Sequence, residues 1–185
     1  AALTSQAGIH RAQKRVYLSA LYIGTDPVSA EVVAALRAAL EEKPELEVHI
    51  VLDCLRATRK DRGAATSSVT ALAPLLELPG ESRRARVSLF HSPELSGLLK
   101  RFLPQRWNET VSLMHMKALV FDDDLLMTGA NLSQDYFTNR QDRYVLFRRC
   151  EGLAAHFAAF IDRVGDFSYR LHGSAPELLP PQPDP

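Results

Sequence analysis

The sequence His115-Met-Lys-Ala-Leu-Val-Phe-Asp122, followed closely by Thr128-Gly-Ala-Asn131, decides how the rest of the chain is arranged. From Met114 to Phe121 only the histidine and the lysine are polar, which predicts a buried strand that ends at an acidic turn. Because side chains alternate along a strand, two residues that are two positions apart point the same way. His115 and Lys117 are therefore expected to share one pocket.

A second strand is predicted from Leu125 to Thr128, and the small residues after it let the backbone approach a ligand closely. The carboxamide of Asn131 can then reach the pocket of His115 and Lys117. A neutral imidazole, a fixed cation and an amide suit a tetrahedral phosphate diester, because the imidazole attacks phosphorus while the other two stabilise charge on its oxygens. This chemistry needs no metal and no cofactor, so neither is expected.

Two aspartates are candidates for supporting roles. Asp142 is predicted to orient the imidazole, since a catalytic histidine needs an acceptor on its second ring nitrogen. Asp122 lies an odd number of positions from His115 and is expected to face away, bonding backbone and hydroxyl groups at the turn. A lone histidine on an apolar strand is more often a core residue. A buried lysine on the same face is costly, however, and the pair together favours a functional site.

Predicted strands and helices alternate through most of the chain, which is typical of an α/β fold with a sheet sandwiched between helices. The sheet is predicted to be mixed and mostly parallel, with an antiparallel hairpin at residues 114–128. One domain is predicted over residues 1–173, and the proline-rich residues 174–185 are expected to form a tail or linker. The amphipathic stretch from Glu94 to Leu103 predicts a helix that packs on the core or, continued to Trp107, rests on a bilayer.

Charge and composition limit the partners. The 22 basic and 22 acidic residues balance, so no overall field favours nucleic acid, which is not expected as a partner. No apolar run approaches the roughly 20 residues of a membrane span. Gly24-Thr-Asp-Pro27 lacks the pattern of a nucleotide-binding loop. The most basic loop, from Arg56 to Gly63, is either solvated or a clamp for an anionic head group or a second substrate's phosphate.

The central motif resembles that of a known superfamily. His115, Lys117 and Asp122 form H-x-K-x-x-x-x-D, and Asn131 lies in the turn after it, as in the phospholipase D superfamily. Residues 121–144 are similar to the branch of eukaryotic mitochondrial phosphatidylglycerophosphate synthases, which also lacks the usual serine before the asparagine. The resemblance implies a phospholipase D-like sandwich, with the three motif residues catalytic and the asparagine binding substrate.

The resemblance also implies an activity and a location. These synthases transfer a phosphatidyl group from CDP-diacylglycerol to glycerol 3-phosphate through a phosphohistidine, on the matrix side of the mitochondrial inner membrane, so peripheral membrane contact is expected. Superfamily members set two H-x-K motifs face to face, whereas only one of the six histidines here, His115, begins such a motif. A second half in cis or a homodimer mate is therefore expected. The alternatives are a phosphodiesterase acting on phospholipid or nucleic acid, and an inactive lipid-binding half-domain.

Overall fold

A computed structural model of the chain describes residues 2–60, 65–77, 84–91, 114–172 and 177–179. The described residues form eight strands, β1 (Arg15–Ala20), β2 (Glu47–Asp53), β3 (Ala85–Phe90), β4 (Ala118–Phe121), β5 (Asp124–Thr128), β6 (Tyr144–Phe147), β7 (Tyr169–His172) and β8 (Glu177–Leu179). They also form five α-helices, α1 (Ala2–Arg11), α2 (Pro27–Glu42), α3 (Cys54–Thr58), α4 (Ser68–Leu72) and α5 (Glu151–Asp166). A 3-10 helix (Ala73–Leu76) and a π-helical turn (Asp135–Asn139) complete these elements. The helix predicted from Glu94 to Leu103 lies outside the described residues.

The strands form one sheet in the order β6-β5-β4-β1-β2-β3-β7-β8. β1 pairs with β2, and β2 with β3, in parallel, whereas the other five pairings are antiparallel. The predicted α/β class with a mixed sheet is confirmed, but the sheet is mostly antiparallel rather than mostly parallel. The physical reason is the connections. Helical crossovers join the neighbouring strands β1, β2 and β3, whereas the helix α5 connects β6 to β7, which are not neighbours in the sheet.

The sheet continues past the predicted domain boundary at residue 173. β8 pairs antiparallel with β7, with His172 opposite Glu177, inside the segment 174–185 that was predicted to be a tail or linker. The sequence pattern fades before β7 because both strands are short, and a strand of three or four residues shows too little alternation to be recognised.

Helices cover both faces of the sheet. On one face, α1, α2 and α4 bury apolar side chains such as Ile9 and Leu36 against Leu18 and Ile50. On the other face, Ala158 of α5 packs among the hydrophobic residues of β4 and β5. Asp26 begins α2, because its carboxylate accepts a hydrogen bond from the Ser29 N–H at 2.8 Å and a proline occupies the first turn. Within the described ranges, no helix is long and apolar enough to span a bilayer.

Strand direction brings several chain segments to one edge of the sheet, which we call the upper edge. β4 is antiparallel to both β1 and β5, so the start of β4 lies beside the ends of those two strands. β2 is parallel to β1 and therefore ends at the same edge, at Asp53. Lys117 immediately precedes β4, and Thr128 ends β5. The residues of the predicted pocket are thus carried to the upper edge by two neighbouring strands, β4 and β5.

Candidate active site

The segment 114–117, which carries the histidine and the lysine, is irregular, although the sequence predicts that the strand begins at Met114. Two buried side chains take the place of ladder partners. The Asp53 Oδ2 atom accepts a hydrogen bond from the Met114 N–H at 3.2 Å, and the Ser19 hydroxyl donates to the Met116 carbonyl at 3.2 Å. Because Asp53 is 2% exposed and Ser19 0% exposed, both bonds are shielded from water. They fix the backbone on either side of His115.

His115 and Lys117 meet directly. The Lys117 Nζ atom lies 3.0 Å from the His115 Nδ1 atom and donates a second hydrogen bond to the His115 carbonyl at 2.9 Å. The predicted proximity of these two side chains is confirmed by the contact. The imidazole is exposed, whereas the lysine is only 5% exposed. An accessible base therefore lies beside a buried cation.

Desolvation lowers the pKa values of both side chains. Desolvation lowers the pKa of the His115 imidazole, and the neighbouring Lys117 charge lowers it further. Desolvation also lowers the pKa of Lys117, and the Asp142 carboxylate opposes that shift. The imidazole is accordingly neutral at neutral pH. Because a protonated lysine can only donate, Nδ1 acts as the acceptor and the imidazole proton resides on Nε2 in this arrangement.

Asn131 lies at the same edge, in a loop that is held by hydrogen bonds from residues that follow β1. The Leu132 carbonyl accepts hydrogen bonds from the Gly24 N–H at 2.7 Å and from the Ser29 hydroxyl at 3.1 Å. Asn131 is 4% exposed, and its Oδ1 atom has no hydrogen-bond partner within the described part of the chain. None of the hydrogen bonds among the described residues joins it to His115 or Lys117. A buried oxygen without a donor is costly, so a donor from a ligand would stabilise it.

Asp142 lies beside the lysine rather than on the imidazole. Its carboxylate interacts electrostatically with Lys117 and accepts a hydrogen bond from the Arg143 N–H at 2.7 Å. A Cβ atom on Gly129 would lie 2.8 Å from the Asp142 Oδ1 atom, so glycine is required for this close approach. The described residues include no hydrogen bond from Asp142 to His115, and its orienting role stays a prediction.

Asp122 lies at the opposite edge of the sheet. It follows Phe121, the last residue of β4, and the five positions from Lys117 correspond to about 16 Å of strand. Its carboxylate accepts hydrogen bonds from the backbone N–H groups of Gln13, Lys14 and Arg15 at 2.8, 2.8 and 3.0 Å. These contacts anchor the start of β1. The position fits the structural role expected from its odd spacing and contradicts its inclusion among the catalytic residues.

Two positioning residues, Asp53 and Ser19, are absent from the sequence-based site. An aspartate at the end of an apolar strand, at the edge where ligands bind, indicates a site residue, and Asp53 fits this pattern. Ser19 carries no such signal, because its hydrogen bond depends on the antiparallel pairing of β1 with β4. Within the described ranges, no three histidine, cysteine or acidic side chains gather as metal ligands would.

A sheet between helices, with an imidazole and an ammonium in contact at its edge, defines the class of phospholipase D-like domains. A family model described as "Cardiolipin synthase, PLD-like domain" matches residues 6–164, and the chain belongs to that family.

Full-length relatives are considerably longer than this chain. It is 45% identical over 164 residues to a protein of Dictyostelium discoideum named probable CDP-diacylglycerol–glycerol-3-phosphate 3-phosphatidyltransferase, covering 89% of this chain and 28% of that protein. It is 43% identical over 171 residues to the Homo sapiens protein of that name, designated mitochondrial, covering 89% and 30%. The chain thus spans less than a third of the length of these relatives.

Solved structures show the same fold. Phosphatidylserine synthase of Haemophilus influenzae superposes with a TM-score of 0.67 at 24% identity, over 87% of this chain and 34% of that one. Nuc, a phospholipase D family member from Salmonella typhimurium, superposes with a TM-score of 0.62 at 15% identity, over 92% and 90%. The predicted phospholipase D-like sandwich is confirmed.

Proposed function

We propose that the chain supplies half of the active site of a CDP-diacylglycerol–glycerol-3-phosphate 3-phosphatidyltransferase. The observation that carries this proposal is the 3.0 Å contact between the exposed His115 imidazole and the buried Lys117 amine. Such a pair suits phosphoryl chemistry, because the imidazole is a nucleophile and the amine a fixed positive charge. The choice of substrates is supported by the names of relatives that are 43–45% identical to this chain.

The first step is attack of the His115 Nε2 atom on the phosphorus that bears diacylglycerol. This attack needs the Nε2 lone pair, so the proton must move to Nδ1, where Lys117 now donates. An incoming phosphate oxygen is a stronger acceptor for the ammonium than a neutral imidazole nitrogen, since the oxygen is charged. Once Lys117 turns to the phosphate, Nδ1 carries the proton and Asp142 is the nearby acceptor for it. Asn131 binds a further phosphate oxygen or hydroxyl.

The reaction then proceeds by two successive displacements at phosphorus. A P–N bond forms to Nε2 while the diphosphate P–O bond breaks, and CMP leaves with a proton donated by a second histidine. In the second displacement the 1-hydroxyl of glycerol 3-phosphate attacks phosphorus and gives its proton to that histidine. The P–N bond breaks, which releases phosphatidylglycerophosphate and restores His115. Lys117 stabilises the charge on the phosphoryl oxygens in both transition states.

The second histidine comes from another H-x-K motif, because His115 begins the only one in this sequence. A second phospholipase D-like half in cis, or a homodimer mate across a two-fold axis, supplies it. We place the enzyme in peripheral contact with the matrix side of the mitochondrial inner membrane. The mitochondrial designation of several relatives supports this location.

The test uses the full-length protein and CDP-diacylglycerol labelled at the phosphorus that bears diacylglycerol. The wild type should form a labelled adduct that acid hydrolyses and base does not, and glycerol 3-phosphate should discharge it into phosphatidylglycerophosphate. The variant His115→Ala should form none. His156→Ala is the matched control, since His156 is an exposed histidine on α5 outside the site, and it should label normally. Label retained in His115→Ala would exclude His115 as the nucleophile, and discharge to water alone would instead identify a phosphodiesterase.

A further inference from the structure

A stacked arginine and tyrosine lie at the upper edge, next to the His115–Lys117 pair. The guanidinium carbon of Arg56 is 4.7 Å from the centre of the Tyr22 ring, and Arg56 is half-buried. The Tyr22 hydroxyl lies 3.4 Å from the Ser133 Oγ atom, two residues after Asn131. Arg56 lies in α3 rather than in a loop as predicted, and the stack therefore connects α3 to the loop that carries the site asparagine.

Strand register places Tyr22 close to the histidine segment. Ser19 of β1 pairs with Ala118 of β4 in antiparallel register, so Tyr22 is three residues past this pair and His115 three residues before it. Both chain segments thus leave the sheet at the same edge from adjacent strands.

Contacts on either side of Tyr22 fix its place further. The Leu21 carbonyl accepts a hydrogen bond from the Asp53 N–H at 3.3 Å, and Ile23 forms a bridge with Leu132. Tyr22 accordingly lies between the start of α3, which carries Arg56, and the Asn131 loop.

The same carboxylate orders both the arginine backbone and the histidine segment. Asp53 accepts the Arg56 N–H at 3.0 Å through Oδ1 and the Met114 N–H at 3.2 Å through Oδ2. Two backbone groups bound by one carboxylate must lie within a few ångströms of each other. The base of the Arg56 side chain is therefore next to the segment that carries His115, and the two are held in fixed relation.

The residues around Arg56 suit a phosphate ligand. Residues 54–60 include Arg56, Arg59 and Lys60 and no acidic side chain. A guanidinium presents its donors as a planar fork that fits two phosphate oxygens, and stacking on an aromatic ring pre-orders it. A lysine at the same place would lack both properties. The reacting phosphate is held by His115 and Lys117, so a second phosphate group is the appropriate ligand for Arg56.

We propose that Arg56, stacked on Tyr22, binds a phosphate monoester beside the His115–Lys117 pair. This inference rests on the proposed function, because that reaction involves two such ligands, the acceptor glycerol 3-phosphate and the product CMP. Near neutral pH a phosphate monoester carries a charge of about −1.5 to −2, which suits a charged, bidentate donor. The shared chemistry is the monoester, and binding experiments distinguish the two sources.

Steady-state kinetics of the full-length protein form the first test. Arg56→Ala should raise KM for glycerol 3-phosphate, or Ki for CMP, by about 10- to 100-fold, the loss expected for charge-assisted hydrogen bonds. Arg56→Lys should recover only part of this loss, because the charge remains without the fork. Tyr22→Phe keeps the stacked ring and should stay close to wild type, whereas Tyr22→Leu should show part of the Arg56→Ala defect. Arg37→Ala is the matched control, as it removes one exposed charge that pairs with Glu41 on α2, and it should change either constant less than about twofold.

Calorimetry with His115→Ala protein forms the second test, since this variant cannot turn over. Glycerol 3-phosphate and CMP are titrated separately, with and without the additional Arg56→Ala change. Weakened binding of one ligand supports the site and identifies its source, whereas unchanged binding of both overturns it. The two proposals fail differently. A wild-type protein that makes no phosphatidylglycerophosphate contradicts the transferase, while a productive Arg56→Ala variant with wild-type constants contradicts only the phosphate site.

Discussion

Replacing Asp53 with asparagine should separate the positioning of His115 from its chemistry. The change is nearly isosteric but leaves one acceptor oxygen, whereas the carboxylate now serves the N–H groups of both Arg56 and Met114. One of those two N–H groups would then face an NH2 group. Losing a hydrogen bond to a charged acceptor costs about 1.5–3 kcal/mol, and an unpaired buried N–H costs about 1–3 kcal/mol. These overlapping terms predict a loss of about 2–4 kcal/mol in the free energy of unfolding.

The same substitution should reduce catalysis more than substrate binding. Met114 precedes His115 directly, so release of its N–H lets the imidazole move relative to Lys117. A misplacement of about 1 Å can cost about 100-fold in rate. For the proposed transfer, we therefore expect Asp53→Asn to lower kcat by about 10- to 100-fold at a temperature where the variant is fully folded, with little change in KM for CDP-diacylglycerol.

Urea denaturation measures the first effect and the transferase assay measures the second. Ser88→Ala is a suitable control, because it removes a buried hydroxyl that lies 3.1 Å from His49 Nε2 on the neighbouring strands. It should lose about 1 kcal/mol of stability while keeping the wild-type kcat. An Asp53→Asn protein with wild-type kcat, or with a stability within about 0.5 kcal/mol of wild type, would refute the assignment of Asp53 as the anchor of this segment.

Three further predictions concern the pH profile, the glycine turn and the buried histidine. The profile of kcat/KM should be bell-shaped, with an acid limb below the usual histidine range and an alkaline limb below the usual lysine range, since the pKa values of His115 and Lys117 are both lowered. Lys117→Arg should remove the alkaline limb, because arginine stays protonated. Asp142→Asn should move this limb to lower pH, because the carboxylate raises the pKa of Lys117. An alkaline limb that does not move in either variant would contradict this assignment. Gly129→Ala should lower kcat by about tenfold by pushing Asp142 aside, whereas Gly152→Ala, with nothing within 4 Å, should leave activity unchanged. Burial lowers the pKa of His49 despite its bond to Asp162, so the unfolded state takes up a proton first and stability should fall as pH drops below about 6.5. Urea denaturation at pH 7.5 and 5.5 should show that loss in the wild type and a smaller one in His49→Gln.

The part of the fold that could be predicted from sequence is the part that depends on local pattern. The apolar run before Asp122 and the strand predicted after it identify the hairpin of β4 and β5, because burial acts within a few residues. The direction of the sheet could not be predicted in this way. It depends on how distant strands pair, as when β4 inserts beside β1 and β7 beside β3. The short edge strand β8 likewise forms only because β7 offers it a partner.

The candidate site divides in a similar way. The approach of His115 and Lys117 follows from two-residue spacing, and the sequence is sufficient to predict it. Spacing also separated Asp122 from the pair, although the motif includes it. The anchors Asp53 and Ser19 could not be predicted, since each acts across strands on the backbone of residues 114–117. The predicted link between Asp142 and the imidazole stays a prediction, since Lys117 is the partner of the His115 Nδ1 atom in this structure.

The break in the strand before Ala118 has a chemical consequence. In a regular buried strand, His115 and Lys117 would share one face and similar burial, and both would be protected from water and from substrate. Here side chains hold the backbone at Met114 and Met116, and the imidazole between them is exposed while Lys117 stays 5% exposed. A nucleophile must reach a substrate, but a charge-stabilising cation acts more strongly where water is excluded. In the proposed mechanism the irregular segment would meet both needs, and the two anchors Asp53 and Ser19 would act by fixing the backbone at Met114 and Met116.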